Sequence, residues 1–312
     1  MSVRAARLIE HGLPLEVQQV ELPTPADDEV LVELAYAGVN PVDGYNAAGK
    51  VNADGPLPRT LGAEAVGHVD GVPVVVAGRG LGSVRDGVFA EAAVVPRDAL
   101  VEIPDGVALR EAAGVGIVGL TAFRIVEIAE IGPQDRVLVL AGSGSVGLAA
   151  ISYAVSKGAQ VWGQTSTQTK ADAITTVGAL HAVVSDAAGL TAAVQAFEPT
   201  VVLDSLAGEF TAAALAALVP YGRLVLFGGS AGPEGTIALL QLYRRQQRIL
   251  TYGGLIATTP ERREGIAGAL AAIADGKLRI HIGAERSLDE VNDAFALVAN
   301  RQAIGKVILK LR

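Results

Sequence analysis

No cysteine occurs among the 312 residues, which excludes a disulfide framework and any thiolate metal site. Aromatic residues make up only 4% of the chain, so each one near a candidate site carries information. No run of about 20 apolar residues is free of charge or of glycine and proline punctuation, so no membrane-spanning segment is read. Basic charge is in deficit. The chain has 25 Lys and Arg against 33 Asp and Glu, a formal net charge of −8, whereas a general nucleic-acid surface needs a basic stripe. The N-terminal segment alternates charged and apolar residues and lacks an apolar h-region, so no signal peptide is read and a cytoplasmic location is expected. What the chain does have is hydrophobic content, 50% of residues. That is enough for a large core, and the length suits two domains at roughly 150 residues each.

Up to about residue 115 the sequence reads as short strands and turns, among them "RAARLIE", "LEVQQVELP" and "DEVLVELAYAGVN". A glycine-rich loop, "GRGLGSVRDG" (78–87), interrupts this β-rich part and is expected to be exposed. Near Ala108 the rhythm changes. "LREAAGVGIVGLTAFRIVEIAEI" places apolar residues at helical spacing and predicts a helix. Strand and helix then alternate through "RVLVLAG", "QVWGQT", "HAVVS", "PTVVLDSL", "GRLVLFGG" and "ILTYGGL". Apolar strands joined by helical crossovers predict a doubly wound parallel sheet, covered on both faces. The last stretch, from residue 257, is expected to rejoin the N-terminal domain.

In "RVLVLAGSGSVGLAA", Gly142, Gly144 and Gly147 form G-x-G-x-x-G after a strand at 137–140 and before a helix. This is the context a dinucleotide-binding turn requires. Gly142 would allow the tight turn, Gly144 the close approach of a pyrophosphate, and Gly147 the packing of helix on strand. The amides around Ser143, Ser145 and Val146 would face the anion at the helix start. An NAD site usually carries Asp or Glu at the end of the second strand to hold the ribose hydroxyls. Here that end reads "GQTSTQTK", with no acid between Gly163 and Thr169. Ser166, Thr167 and Lys170 can instead donate to a 2′-phosphate, which predicts NADPH. Asp172, the nearest acid, falls inside the next helix.

Six segments in order, "AGVNPVD" (37–43), "GIVGLTA" (116–122), "VLVLAGSGSVGLAAISYA" (137–154), "LDSLAG" (203–208), "GRLVLFG" (222–228) and "GKVIL" (305–309), resemble the zinc-independent quinone oxidoreductase branch, ζ-crystallin-like, of the medium-chain dehydrogenase/reductase superfamily. The resemblance implies an α/β protein. A GroES-like β-rich catalytic domain (1–115 and 257–312) would flank a Rossmann domain (116–256), with the cofactor in the cleft and homodimers often formed through the last Rossmann strand. It also places Asn40 and Tyr45 beside the nicotinamide ribose and the substrate, as the catalytic pair. Thr121 would contact the nicotinamide or its phosphate, and Phe227, Gly228 and Ser230 would line the nicotinamide pocket. Lys306 would return to the cofactor, the plain alternative being a surface lysine. Zinc-dependent relatives have Cys where this chain has Asn40, and G-H-E where it has Gly62, Ala63 and Glu64. The four histidines, His11, His68, His181 and His281, are scattered, so no metal is expected. The segment after 64–69 is shorter than usual in the family, Ala92 stands where a Tyr is frequent, and Ser185 where a Tyr can approach the 2′-phosphate.

Without a Lewis acid, simple alcohols and ketones are poor substrates, whereas a quinone or conjugated enone accepts hydride directly. Tyr45 is the tyrosine of "NPVDGYNAAG". It either donates a proton or hydrogen bond to the acceptor or packs against the cofactor. Asp43 is read as bracing its turn. The basic runs "YRRQQR" (243–248) and "ERRE" (261–264) are read as solvated helix faces, the alternative being an anion site for a CoA or acyl-carrier group. The expectation is an NADPH-dependent reductase of quinones or α,β-unsaturated carbonyls. Its small-molecule substrate is not specified by the sequence, and no nucleic-acid or membrane partner is expected. The alternatives are an enoyl-thioester or enone reductase of a biosynthetic pathway, and a non-catalytic NADPH-binding structural or regulatory protein.

Overall fold

The computed structural model describes all 312 residues. Sixteen strands run in chain order: β1 (Ser2–Leu8), β2 (Glu16–Glu21), β3 (Glu29–Val39), β4 (Arg59–Thr60), β5 (Glu64–Val69), β6 (Val72–Ala77), β7 (Ala92–Pro96), β8 (Leu100–Glu102), β9 (Arg136–Val139), β10 (Gln160–Thr165), β11 (His181–Val184), β12 (Val201–Asp204), β13 (Arg223–Leu226), β14 (Arg248–Thr251), β15 (Ile282–Ser287) and β16 (Lys306–Lys310). The chain divides into two compact units. One comprises Met1–Leu120, Thr258–Ala274 and Ile280–Arg312; the other comprises Thr121–Ala257 and Asp275–Arg279.

The first unit is mostly antiparallel. β3 is its organising strand, eleven residues long, and it pairs with β16, β5 and β7. The seven-stranded sheet runs β15-β16-β3-β5-β6-β8 with β7 on β3, and a small sheet β2-β1-β4 accompanies it. Alternating apolar positions such as Leu34, Val76 and Leu309 join Phe89 in one core, each worth roughly 1.5–3 kcal/mol over exposure.

In the second unit six parallel strands lie in the order β11-β10-β9-β12-β13-β14. The central strands β9, β12 and β13 are apolar almost throughout, as in a sheet covered by helices. Leu138, Leu140, Val202 and Leu224 are wholly buried with Leu190 and Leu218. The order reverses between β9 and β12, and crevices for ligands form outside the carboxyl ends of strands at such a point.

One element departs from its periodicity. The helix expected from Leu109 onward is a short helix Leu109–Ala112, a π-turn Val115–Gly119 and a helix Leu120–Ile128. Gly114 accepts from both Val118 and Gly119 N–H, while the Ile117 N–H leaves the ladder for Glu64 Oε2 at 2.8 Å. The glycines permit this close approach: a Cβ on Gly116 would stand 2.8 Å from the Ala77 side chain. No helix is long and apolar enough to cross a membrane.

Candidate active site

The glycine turn lies at the switch point of the parallel sheet. The left-handed residue of the turn is Ala141 (φ 50°). The smallness of Gly142 serves packing, because a Cβ would lie 3.1 Å from the Gly163 Cα on β10. Gly147 is the most constrained of the three. A Cβ would collide with the Ala141 carbonyl and stand 2.8 Å from the Gly142 Cα. Gly144 is the N-cap of the twelve-residue helix Ser145–Ser156, with no side-chain cap, and a Cβ there would approach only the Ala141 oxygen, at 3.2 Å. A glycine corner that leaves helix-start amides without a side-chain acceptor suits a diphosphate.

Gln164 on β10 was not singled out by its sequence context, yet it holds this turn in place. It is 2% exposed. Its Oε1 accepts from Ala141 N–H at 3.0 Å and its Nε2 donates to the Ser185 carbonyl at 2.6 Å, while its own carbonyl takes the Gly142 N–H at 2.6 Å. Ser143 is buried against Thr165, with their hydroxyls 2.9 Å apart. Beyond Thr165, Ser166 and Thr167 are exposed, and Lys170 is half-buried in a 3-10 turn that precedes the helix Ala171–Thr176 holding Asp172.

At the ends of β12 and β13, Asp204 is fully buried. It accepts from Leu206 and Ala207 N–H and from the Thr211 hydroxyl. Phe227 N–H donates to the Asp204 carbonyl and Ser230 N–H to the Ser205 carbonyl, and a Cβ on Gly228 would stand 2.7 Å from that Ser205 oxygen. Phe227 and Ser230 are thereby tied to one carbonyl row. Thr121 is half-buried at the start of the helix Leu120–Ile128.

In the first unit Asn40 precedes the helix Pro41–Ala47, which carries Tyr45. Asn40 is buried, and each of its side-chain polar atoms is engaged. Nδ2 donates to the Gly38 carbonyl at 3.0 Å and to Glu64 Oε1 at 2.9 Å, and Oδ1 accepts from Lys306 at 2.5 Å. Lys306 is 1% exposed. Its three N–H donors meet Val39 O, Asn40 Oδ1 and Glu64 Oε1 at 3.1, 2.5 and 2.7 Å. It is therefore not a surface lysine, and its ammonium has no donor left for a cofactor. Asp43 braces the turn, accepting from Asn40 N–H at 2.8 Å and Ala63 N–H at 3.1 Å. Burial, ahead of every other influence, pushes its carboxyl up to about 7. Tyr45 is 46% exposed. No three His, Cys, Asp or Glu side chains group as metal ligands. Where zinc ligands would be sought, an amide and a lysine ammonium share the Glu64 carboxylate, a donor set unfit for zinc.

A six-stranded parallel sheet with an uncapped, glycine-cornered helix at its switch point belongs to the dinucleotide-binding class of α/β protein. Residues 26–105 match the alcohol dehydrogenase GroES-like domain and residues 177–309 the family described as zinc-binding dehydrogenase. The chain is 30% identical to the quinone oxidoreductase of Pseudomonas aeruginosa, over 95% of each chain. It is also 30% identical, over 95% of its own length, to one of the proteins that make up the phenolphthiocerol/phthiocerol polyketide synthase of Mycobacterium tuberculosis, of which it spans only 14%. Solved structures similar to it include an NAD-dependent alcohol dehydrogenase (27% identity, TM-score 0.88) and the Thermus thermophilus quinone oxidoreductase, described also in its complex with NADPH (28%, 0.86); each match covers 99% of this chain and 100% of the other. The protein belongs to the quinone oxidoreductase branch of the medium-chain dehydrogenase/reductase superfamily.

Proposed function

We propose that the protein reduces quinones or α,β-unsaturated carbonyl compounds with NADPH and without zinc. The observation that carries the reading is the second Rossmann strand. It ends at exposed Ser166 and Thr167 with Lys170 in the next turn, and no acid lies among these residues. A carboxylate there would repel a 2′-phosphate, whereas hydroxyl and ammonium groups donate to one. NADPH supplies hydride. The chain's part is to hold its diphosphate on the amides of Ser143, Ser145 and Val146 at the Gly142–Gly147 turn. Phe227, Gly228, Ser230 and Thr121 position the nicotinamide half. Tyr45, half-exposed, donates to the acceptor's oxygen. Asn40, Glu64 and Lys306 brace the strand ends rather than touch reacting atoms. That donor set supports a reaction without zinc, and an electron-poor acceptor needs no Lewis acid.

A second reading, reduction of an enoyl thioester, is favoured by the likeness to a polyketide synthase. A homodimer built on β14 is supported by the unpaired outer edge of that strand and by exposed Leu239, Tyr243, Leu255 and Ile256 nearby in sequence.

The test is NADPH and NADH oxidation with a panel of 1,4-quinones, enones and enoyl thioesters. Turnover of quinones or enones with a lower KM for NADPH than for NADH is the expected result. Turnover of thioesters alone selects the second reading. Tight NADPH binding without turnover of any acceptor defeats the enzyme reading and leaves a non-catalytic binding protein.

A further inference from the structure

Arg59 is the largest side chain wholly inside the protein, 1% exposed. It opens the two-residue strand β4, which pairs with β1. Nη1 donates to the Pro56 carbonyl at 3.2 Å. Nε and Nη2 are buried and meet no acceptor. These two atoms form one edge of the planar guanidinium, the side-on fork that takes both oxygens of a carboxylate in parallel hydrogen bonds. Asp86, the acid whose charge acts on it, is engaged elsewhere: its Oδ1 accepts from Arg7 Nη1 at 2.8 Å and Thr60 N–H at 2.7 Å. A buried cation with an unpaired edge is costly. Burial pulls the Arg59 pKa down, with Asp86 opposing, yet a guanidinium keeps its charge and cannot escape by deprotonation. Such orphaned groups call for a ligand or a role.

Irregular chain packs against the Nη1 side of the guanidinium. A Cβ on Gly55 would stand 2.6 Å from Nη1 and 2.5 Å from the Ser83 carbonyl, so Arg59, Gly55 and Ser83 meet at one point. Asn52 bonds the Ser83 hydroxyl, joining the segment before β4 to the glycine-rich loop 78–87. Most of residues 52–58 is exposed, and neither segment forms regular secondary structure. The first runs directly on from the Tyr45 helix: Lys50 N–H donates to the Tyr45 carbonyl at 2.9 Å, and Asn52 reaches Asn46 at 3.5 Å.

We propose that Arg59 is an anchor for a carboxylate on the acceptor, reached when the segments 52–58 and 78–87 part. The acceptors preferred are then acidic, a quinone or enone bearing a carboxylate at the end remote from the reacting bond. The identification of the ligand as an acceptor rests on the reductase reading above; the carboxylate site itself does not.

Two measurements test it. The first needs no turnover: the unfolding midpoint of the wild-type chain with benzoate, benzamide or inorganic phosphate. Benzoate raises the midpoint and benzamide does not. The rise disappears in Arg59→Met and in Arg59→Lys, which keeps the charge but not the fork. No rise with benzoate, an equal rise with benzamide, stabilisation by phosphate alone, or a benzoate effect that survives in Arg59→Lys overturns the proposal. The first three outcomes are read on the wild-type chain, so a variant that fails to fold does not protect the idea. The second measurement compares benzylideneacetone with its para-carboxylate. The acid is expected to have a kcat/KM about tenfold to a hundredfold higher, the worth of a charge-assisted pair, with a ratio near one in Arg59→Met. Equal values in the wild type overturn the assignment to an acceptor. If neither is reduced while benzoate still stabilises through Arg59, the reductase reading fails and the carboxylate site stands.

Discussion

Asp43 shows how burial decides the behaviour of a single residue. Two backbone N–H groups and Lys306 favour its ionised form, but burial outweighs them and Glu64 adds repulsion, which together push it up to about 7. The folded protein therefore holds this proton more tightly than the unfolded chain, where the carboxyl titrates near 3.8. The stability that comes from this tighter hold is fully present below the unfolded value and is lost as pH rises through the folded one. Asp43→Asn removes the titration and sets an NH2 donor against backbone donors, at a cost of about 1–3 kcal/mol. Thermal unfolding of both proteins from pH 4 to 8 should show the wild-type advantage shrinking across that window and levelling near pH 8. Parallel curves would mean that Asp43 is ionised throughout. The sequence identified Asp43 as a brace but did not place Lys306, because that role depends on Glu64, 242 positions away along the chain. Arg59 was hidden for a similar reason: an arginine between Pro58 and Thr60 reads as surface until a fold encloses it.

Among the elements, the parallel strands were the easiest to read. The central ones, β9, β12 and β13, are nearly continuous apolar runs punctuated by turns, and two-sided burial produces that pattern. The π-turn at Val115–Gly119 was not legible, since local periodicity says helix and only a distant carboxylate, Glu64, draws the Ile117 N–H out of the ladder. The glycine turn was half legible. Its three glycines announce themselves, but the side chain that holds it, Gln164, lies on the neighbouring strand and touches Ala141 and Ser185 at once. That geometry predicts a graded response. Gln164→Glu keeps the acceptor for Ala141 and loses the donor to Ser185; Gln164→Leu loses both. The KM for NADPH should rise about thirtyfold to a hundredfold in Gln164→Leu and less in Gln164→Glu, in keeping with about 1–1.5 kcal/mol per bond, while kcat changes little. Steady-state kinetics at saturating acceptor measure this. A fall in kcat with unchanged KM, or equal effects of the two changes, would show that Gln164 supports the fold without setting the turn.

At the scale of the whole molecule, the outer edge of the parallel sheet is open to another strand. β14 ends the sheet and pairs only with β13. An unpaired edge invites another strand unless charge, proline or a cover blocks it. β14 reads Arg-Ile-Leu-Thr and contains no proline. Leu255 and Ile256, shortly beyond its end, are 80% and 88% exposed, a costly placement for aliphatic side chains in an isolated chain. Antiparallel pairing of two β14 edges about a two-fold axis would complete both ladders with one self-complementary contact, as a closed dimer requires. The stable species in solution is therefore expected to be a dimer of about twice 31.9 kDa. Leu255→Asp with Ile256→Asp should yield a folded monomer, because burying two carboxylates from each protomer at a symmetric contact brings like charges together at a desolvated surface. Sedimentation equilibrium decides it. A monomeric wild type would remove the edge-pairing reading, and a double variant that remains dimeric would place the contact on another face of the molecule.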